Sequence, residues 1–358
     1  MDIIKICSDF SISGEFSHYQ VINTGNINTT YKVVTEDQGV MHQYLFQKIN
    51  KNVFAHPDKI MQNITRINDY IDSLQSNSDL IILHFIKSKA DKPYVIDEDG
   101  NFWRACKFFD CACYNTTNDL QVIEEAGRAF GEFQYLLSDF DASSLHIIIP
   151  DFHNTKKRIE NLEKTIKYAL SDRKEESIDE IEYILKNKEI GSVLCDLLDK
   201  GELPLRVTHN DTKCNNVIFN KDTNKALAVI DLDTIMPGLC AYDFGDGARS
   251  ICSMTEEDEI DVSKVEFNLD KFESFTKGYF RFLKSSITQT EKETFAISVY
   301  VMTLELAARF LQDYLNGDTY FKVSMHKHNL IRTRTQIALC KDIYSKLDKM
   351  KEIVQKYT

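Results

Sequence analysis

The chain has 358 residues, 43% of them hydrophobic and 27% charged, enough for two lobes with cores of their own and ordinary for a soluble globular protein. A formal net charge of −12 argues against a nucleic-acid or anionic-membrane partner, so any phosphate-bearing ligand needs a local positive pocket. Nine scattered cysteines read as reduced thiols; with no signal-peptide core and no apolar run long enough to span a bilayer, the expected location is the cytoplasm.

Residues 1–109 have the alternation and turns of a β-rich lobe. Strands are predicted at 19–23, 30–34 and 44–49, the first two joined by a polar turn at 24–29. Ile60, Ile64, Ile67 and Ile71 recur at spacings of three and four, which predicts an amphipathic helix over 56–74. Residues 93–107 read as a hairpin around Asp97-Glu98-Asp99-Gly100, with the only tryptophan, Trp103, as a core residue on its return strand.

The second lobe, 110–358, is mainly helical. Asn118 with Gln121 resembles a capping box, followed by an apolar face of Val122, Ala126, Ala129, Phe133, Leu136 and Leu137. Residues 155–199 hold two charged helical stretches split by a solvated linker at 171–176, and further helices are expected at 270–285, 290–316 and 334–355. Cys106, Cys111 and Cys113 cluster without the C-x-x-C pair or spaced histidines of a metal site. His326-Lys327-His328 reads as a solvated turn, and Arg332 and Arg334 as structural.

Chemistry concentrates in 205–246, LRVTHNDTKCNNVIFNKDTNKALAVIDLDTIMPGLCAYDFGD. Strands at 217–219 and 226–230 form a hairpin with Asp211, Asn216 and Asp231 at its mouth, all within reach of one divalent cation. The plain alternative is a hairpin rich in Asn, Asp and Lys. Phosphoryl transfer needs a carboxylate to orient and deprotonate a hydroxyl, oxygen ligands for magnesium, and a cation against the transferred charge. Asp211, Lys213 and Asn216 have the D-x-K-x-x-N spacing of a kinase catalytic loop. Asp211 would then be the base and Lys213 the cation on the γ-phosphate of ATP, with Asn216 and Asp231 as Mg2+ ligands. Asp243-Phe244-Gly245 spells a kinase metal motif, yet it lies 32 positions beyond Asp211, against 20 for Asp231, and follows a Pro-Gly turn. The metal is therefore assigned to Asp231, and His209 is expected to brace the loop.

With such a loop in place, the turn at 24–29 would lie over the nucleotide phosphates through Gly25, Asn26, Asn28 and Thr29, although a lone glycine also suits an ordinary hairpin turn. Alternation from Leu45 puts Gln47 where a kinase presents its phosphate lysine. Either Gln47 contacts the phosphates uncharged, or Lys48 reaches round, or the cation comes from elsewhere. Residues 108–112, Phe109 among them, are the candidate hinge, whose backbone would hydrogen-bond the adenine.

H-N-D-x-K-x-N-N at 209–216, V-I-D-L-D-T at 229–234 and Y-D-F-G-D at 242–246 resemble the phosphotransferase family of aminoglycoside and choline kinases. G-x-x-N-x-T-Y at 25–31 resembles that family's phosphate loop, and within the family the likeness is greatest to the N-acetylhexosamine 1-kinases. The resemblance implies a protein-kinase-like two-lobed α+β fold and an ATP- and Mg2+-dependent transfer to the anomeric oxygen of GlcNAc or GalNAc. It places Asp243, Phe244, Asp246 and Arg309 near the sugar, with Asp243 also bracing a loop there, and the 155–199 insertion over the sugar. Arg309 has a second reading, a surface helix pair with Glu305. Asn210 stands where many relatives have Gly and Lys213 where aminoglycoside kinases often have His, which weakens an antibiotic-kinase reading. The rivals are a choline- or homoserine-type kinase, whose cationic acceptor an aromatic-rich chain could cage, and a non-catalytic nucleotide-binding protein, for which Gln47 speaks.

Overall fold

Period-two alternation builds the N-terminal lobe. The computed structural model describes residues 3–22, 27–76 and 78–358. Strands β1 (Glu15–Ile22), β2 (Thr29–Asp37), β3 (Val40–Lys48), β4 (Val95–Ile96) and β5 (Phe102–Lys107) form an antiparallel sheet in the order β1-β2-β3-β5-β4. One face, with Tyr31, Val33, Tyr44, Phe46, Trp103 and Ala105, closes a small core under a short helix, α1 (Ile3–Asp9). Trp103 is fully buried, and its indole Nε1 donates to Asp97 Oδ2 at 2.9 Å. The other face turns Thr30, Leu45, Gln47, Arg104 and Cys106 toward the interlobe cleft. Helix α2 (Pro57–Ser73) follows β3 and buries its isoleucine stripe in the main core.

The C-terminal lobe is helical. Its first helix, α3 (Leu120–Leu136), is capped by Asp119, whose side chain accepts from Gln121 N, and not by the Asn118 expected from the sequence. The insertion comprises α4 (Thr155–Tyr168), α5 (Ser171–Glu176), α6 (Ile178–Lys186) and α7 (Lys188–Asp199). The expected solvated linker is thus a helical turn, and it is docked: Arg173 pairs with Asp318 at 2.7 Å and Glu176 with Lys327 at 2.8 Å. Two short ribbons follow, β6 (Arg206–Thr208) with β9 (Met236–Gly238), and β7 (Val217–Phe219) with β8 (Ala226–Val229).

Helices α8 (Cys240–Ile251), α9 (Leu269–Leu283), α10 (Gln289–Leu315) and α11 (His328–Tyr357) complete the lobe. By length and composition α10 could cross a membrane, contrary to the expectation that no such run exists, but 89% of its most apolar window is buried in the protein. It begins at a capping box between Thr288 and Glu291. His328 is buried rather than solvated, with Nε2 2.9 Å from Asp258. Helices α3 and α9 meet backbone to backbone. A Cβ on Gly131 would lie 1.9 Å from the Tyr279 carbonyl oxygen, and one on Gly278 would lie 2.0 Å from that of Glu124.

Candidate active site

The loop between β6 and β7 is fixed mainly by hydrogen bonds to its backbone. His209 donates from Nε2 to the Ile230 carbonyl at 2.8 Å and accepts at Nδ1 from Asp211 N–H at 3.2 Å, which sets the neutral Nε2–H tautomer. Asn210 and Asp231 adopt left-handed backbone conformations, φ 65° and 61°, tolerated by Asn and Asp better than by other side chains. Asn216 Nδ2 donates to Asp211 Oδ2 at 3.0 Å and to its carbonyl at 2.7 Å, while Lys213 Nζ sits 3.2 Å from Oδ1. Both carboxylate oxygens of Asp211 are therefore oriented. The same Asp211 charge holds the Lys213 ammonium above its usual range against burial.

Asp231 ends the β7–β8 hairpin and is open to the cleft on one side. The surrounding protein, together with the Asp233 and Asp211 carboxylates, pushes its pKa up to about 6. A divalent cation would relieve that repulsion, and Asp231 with Asn216 Oδ1 offers it hard oxygen donors, so the residues present fit magnesium.

Three of the four residues expected near the sugar face inward, because α8 starts directly after β9. Asp243 is buried; Oδ1 accepts from Asn210 N–H at 2.8 Å, and Oδ2 from His209 N–H at 2.8 Å and Gln134 Nε2 at 2.6 Å. Asp246 accepts from Thr212 N–H at 3.1 Å and pairs with Arg249 at 2.6 Å. Both carboxylates brace the loop from behind. Phe244 is fully buried among Phe272, Phe275, Tyr279, Phe280 and Phe295, and serves the core.

Between the lobes lies a cleft of about 410 Å³. Ile22, Leu45, Leu83, Phe85, Phe108 and Ile218 give it an apolar slot ending at the hinge, where Phe109 also lines it. Its polar end holds Asn28, Thr30, Gln47, Arg104, Asp211, Lys213, Asn216 and Asp231. Gly25 and Asn26 lie outside the described residues. Thr29 pairs with Lys48 at the end of the sheet, and the next residue, Thr30, reaches the cleft wall in its place. Asn28 Nδ2 donates to Asp233 Oδ2 at 2.7 Å across the lobes. Gln47 takes the expected position, and its Oε1 accepts from Arg104 Nε at 2.9 Å. Nothing in the local sequence pattern singled out Arg104; a neighbouring strand supplies it.

On the other side of the loop, Glu305 is 1% exposed, so the surface pair with Arg309 is not formed. Glu305 accepts from Thr155 Oγ1 at 2.8 Å and faces His153 Nδ1 at 3.0 Å, while His153 Nε2 lies 3.1 Å from the Asn210 carbonyl. With an acceptor at each ring nitrogen, the site favours the imidazolium form of His153. Burial opposes that charge, but Glu305, Asp246 and the Asn210 carbonyl hold its pKa above the usual value. Arg309 is half-buried, its guanidinium 5.4 Å from the Phe152 ring centroid and 5.6 Å from that of Phe321. Burial, and then the nearby charge of Arg309, lower the pKa of Arg158.

Residues 18–273 match the model of the phosphotransferase enzyme family APH. A probable ethanolamine kinase of Nematostella vectensis is 30% identical over 117 residues, 32% of this chain, and the match spans only 32% of that relative's length. Among solved structures, the microcompartment-associated aminopropanol kinase superposes with a TM-score of 0.64 at 15% identity, over 98% of both chains. A spectinomycin phosphotransferase in complex with ADP and spectinomycin gives 0.57 at 12% identity, over 97% of this chain and 98% of the other. At these identities the likeness is one of fold, the two-lobed kinase-like α+β fold expected from the sequence.

Proposed function

The chain belongs to the phosphotransferase enzyme family, and from that premise we propose that it transfers the γ-phosphoryl group of ATP to the anomeric hydroxyl of an N-acetylhexosamine such as GlcNAc or GalNAc. The observation that carries the chemistry is the double restraint on Asp211, one oxygen held by Asn216 and the other beside Lys213. A carboxylate fixed in this way orients the acceptor hydroxyl and takes its proton as the oxygen–phosphorus bond forms and ADP leaves. An anomeric hydroxyl is more acidic than an ordinary alcohol, so a plain carboxylate suffices. Lys213 offsets charge on the group in transfer. Asn216 and Asp231 would hold magnesium, which supplies charge neutralisation on the phosphates.

The acceptor class rests on the far side of the loop. Arg309 and Arg158 lie in that region, and the carboxylates nearby, Glu305, Asp246 and Asp151, are already engaged with His153, Arg249 and Lys157. A neutral, hydroxyl-rich acceptor suits this chemistry better than a cationic one. The second reading, an amino alcohol, is favoured by the names of the ethanolamine and aminopropanol kinase relatives. ATP consumption with magnesium across GlcNAc, GalNAc, hexoses, choline, ethanolamine and homoserine separates the two. Turnover is expected with an N-acetylhexosamine; turnover confined to the amines overturns the sugar reading.

A further inference from the structure

The strand that carries the phosphate lysine in a kinase carries a neutral amide here, and the position directly opposite it on β5 carries a buried guanidinium. Gln47 and Arg104 are partners in the β3–β5 register, so their side chains leave the same face of the sheet. Arg104 is 2% exposed and lines the cleft together with Gln47 and Asp231. Its Nε donates to Gln47 Oε1 at 2.9 Å, its Nη1 pairs with Asp233 Oδ1, and its guanidinium lies 4.7 Å from the Phe85 ring centroid. Three neighbours thus fix the plane of the fork, while Nη2 donates to no protein group among the described residues. Asp233 also accepts from Asn28, so a single carboxylate positions both the cation and a residue of the loop before β2. Among the described residues, the other cationic side chains on the cleft wall are Lys107 at the end of β5 and Lys213 beside Asp211. Alternation sends Lys48, opposite the core residue Trp103, toward the other face.

We infer that Arg104 is the N-lobe cation for the β- and γ-phosphates of ATP, its charge delivered one strand over from the usual place and aimed by Gln47 and Asp233. The inference rests on the ATP-dependent reading above. A guanidinium fork suits this task because it pairs with phosphate oxygens through parallel N–H donors, and here it is pre-oriented before the nucleotide arrives.

The test is calorimetric binding of Mg·ATP and of AMP to the full chain and to Arg104→Met, Arg104→Lys and Asp233→Asn. A lost charged hydrogen bond should raise the Mg·ATP dissociation constant roughly 10- to 100-fold in Arg104→Met. AMP binding should stay within about twofold, because the contact lies beyond the α-phosphate, and Arg104→Lys should recover part of the loss. Asp233→Asn leaves the guanidinium charged but weakens one of the two side chains that aim it, so Mg·ATP affinity should fall by less than in Arg104→Met, with AMP again unchanged. Equal weakening of ATP and AMP in Arg104→Met, or no weakening at all, overturns the inference. Should Arg104→Met fail to fold, Arg104→Lys and Asp233→Asn decide: equal weakening of ATP and AMP in both, or no weakening in either, refutes the phosphate role. If the unaltered chain binds neither nucleotide, the kinase reading itself falls.

Discussion

Replacing Asp243 by Asn separates a brace from a metal ligand. The native carboxylate accepts three buried donors, from His209, Asn210 and Gln134. The amide keeps one oxygen for two of them or fewer, and hydrogen bonds to a neutral group are weaker by about 1 kcal/mol each. Its NH2 faces a buried donor, and an unsatisfied group of that kind costs about 1–3 kcal/mol. Opposing this, burial already pushes the Asp243 pKa up, so removing the charge returns part of the loss. A net destabilisation of about 2–3 kcal/mol is expected in urea unfolding. Turnover should fall as well, since a misplacement of about 1 Å at a catalytic loop costs on the order of 10²-fold. The magnesium concentration for half-maximal ATP binding should not change. A variant as stable as its parent, but needing far more magnesium, would refute this reasoning and make Asp243 the ligand after all.

Asp211→Asn should fold and bind nucleotide while turnover in a coupled ATP assay drops roughly 10²–10⁴-fold; near-normal turnover removes the base assignment. Asp231→Ala should abolish the magnesium dependence of ATP binding measured by titration, and a variant that keeps it shows that another carboxylate holds the metal. The His153–Glu305 pair gives a pH prediction. The raised His153 pKa contributes stability fully below about 6.5 that is lost as pH rises through the folded value. The depressed Glu305 pKa contributes stability above about 4.5 that is lost as pH falls through its folded value. Thermal unfolding should therefore show a plateau between these limits that narrows in His153→Gln; identical pH profiles for the two proteins would count against the imidazolium.

The sequence was most legible where a repeat of two residues, a turn and a spaced polar motif lay close together in the chain. The sheet strands, Trp103 in the core, the isoleucine stripe of α2 and the β7–β8 hairpin all follow from such local signals. The gathering of Asp211, Asn216 and Asp231 also follows, because all three lie on the β7–β8 hairpin's flanks or the short loop leading into it. What escaped depends on partners far away in the chain. Glu305 and Arg309 have the spacing of a surface pair, but α10 is apolar nearly all round, and only packing against α4 and α8 decides that Glu305 points inward. The 243–246 segment carries a family signature, yet its first turn of helix faces it away from the cleft. Arg104 stayed hidden because strand pairing, not strand pattern, brings it beside Gln47.

The α3–α9 crossing works as a gauge block. Its spacing is set by main-chain atoms alone, at Gly127, Gly131 and Gly278, so it has no rotamer with which to absorb an added methyl group. Helix α3 reads its position from that contact and passes it on, through Phe130 edge-on to His209 and Gln134 to Asp243. The loop that carries Asp211 is thereby referenced to this crossing, as it is on its other side to His153 just before α4. In laboratory evolution, the part of the insertion beyond the start of α4 can be re-cut while α3 still fixes the alignment of the loop. A single Cβ at any of the three glycines would disturb that alignment without touching substrate.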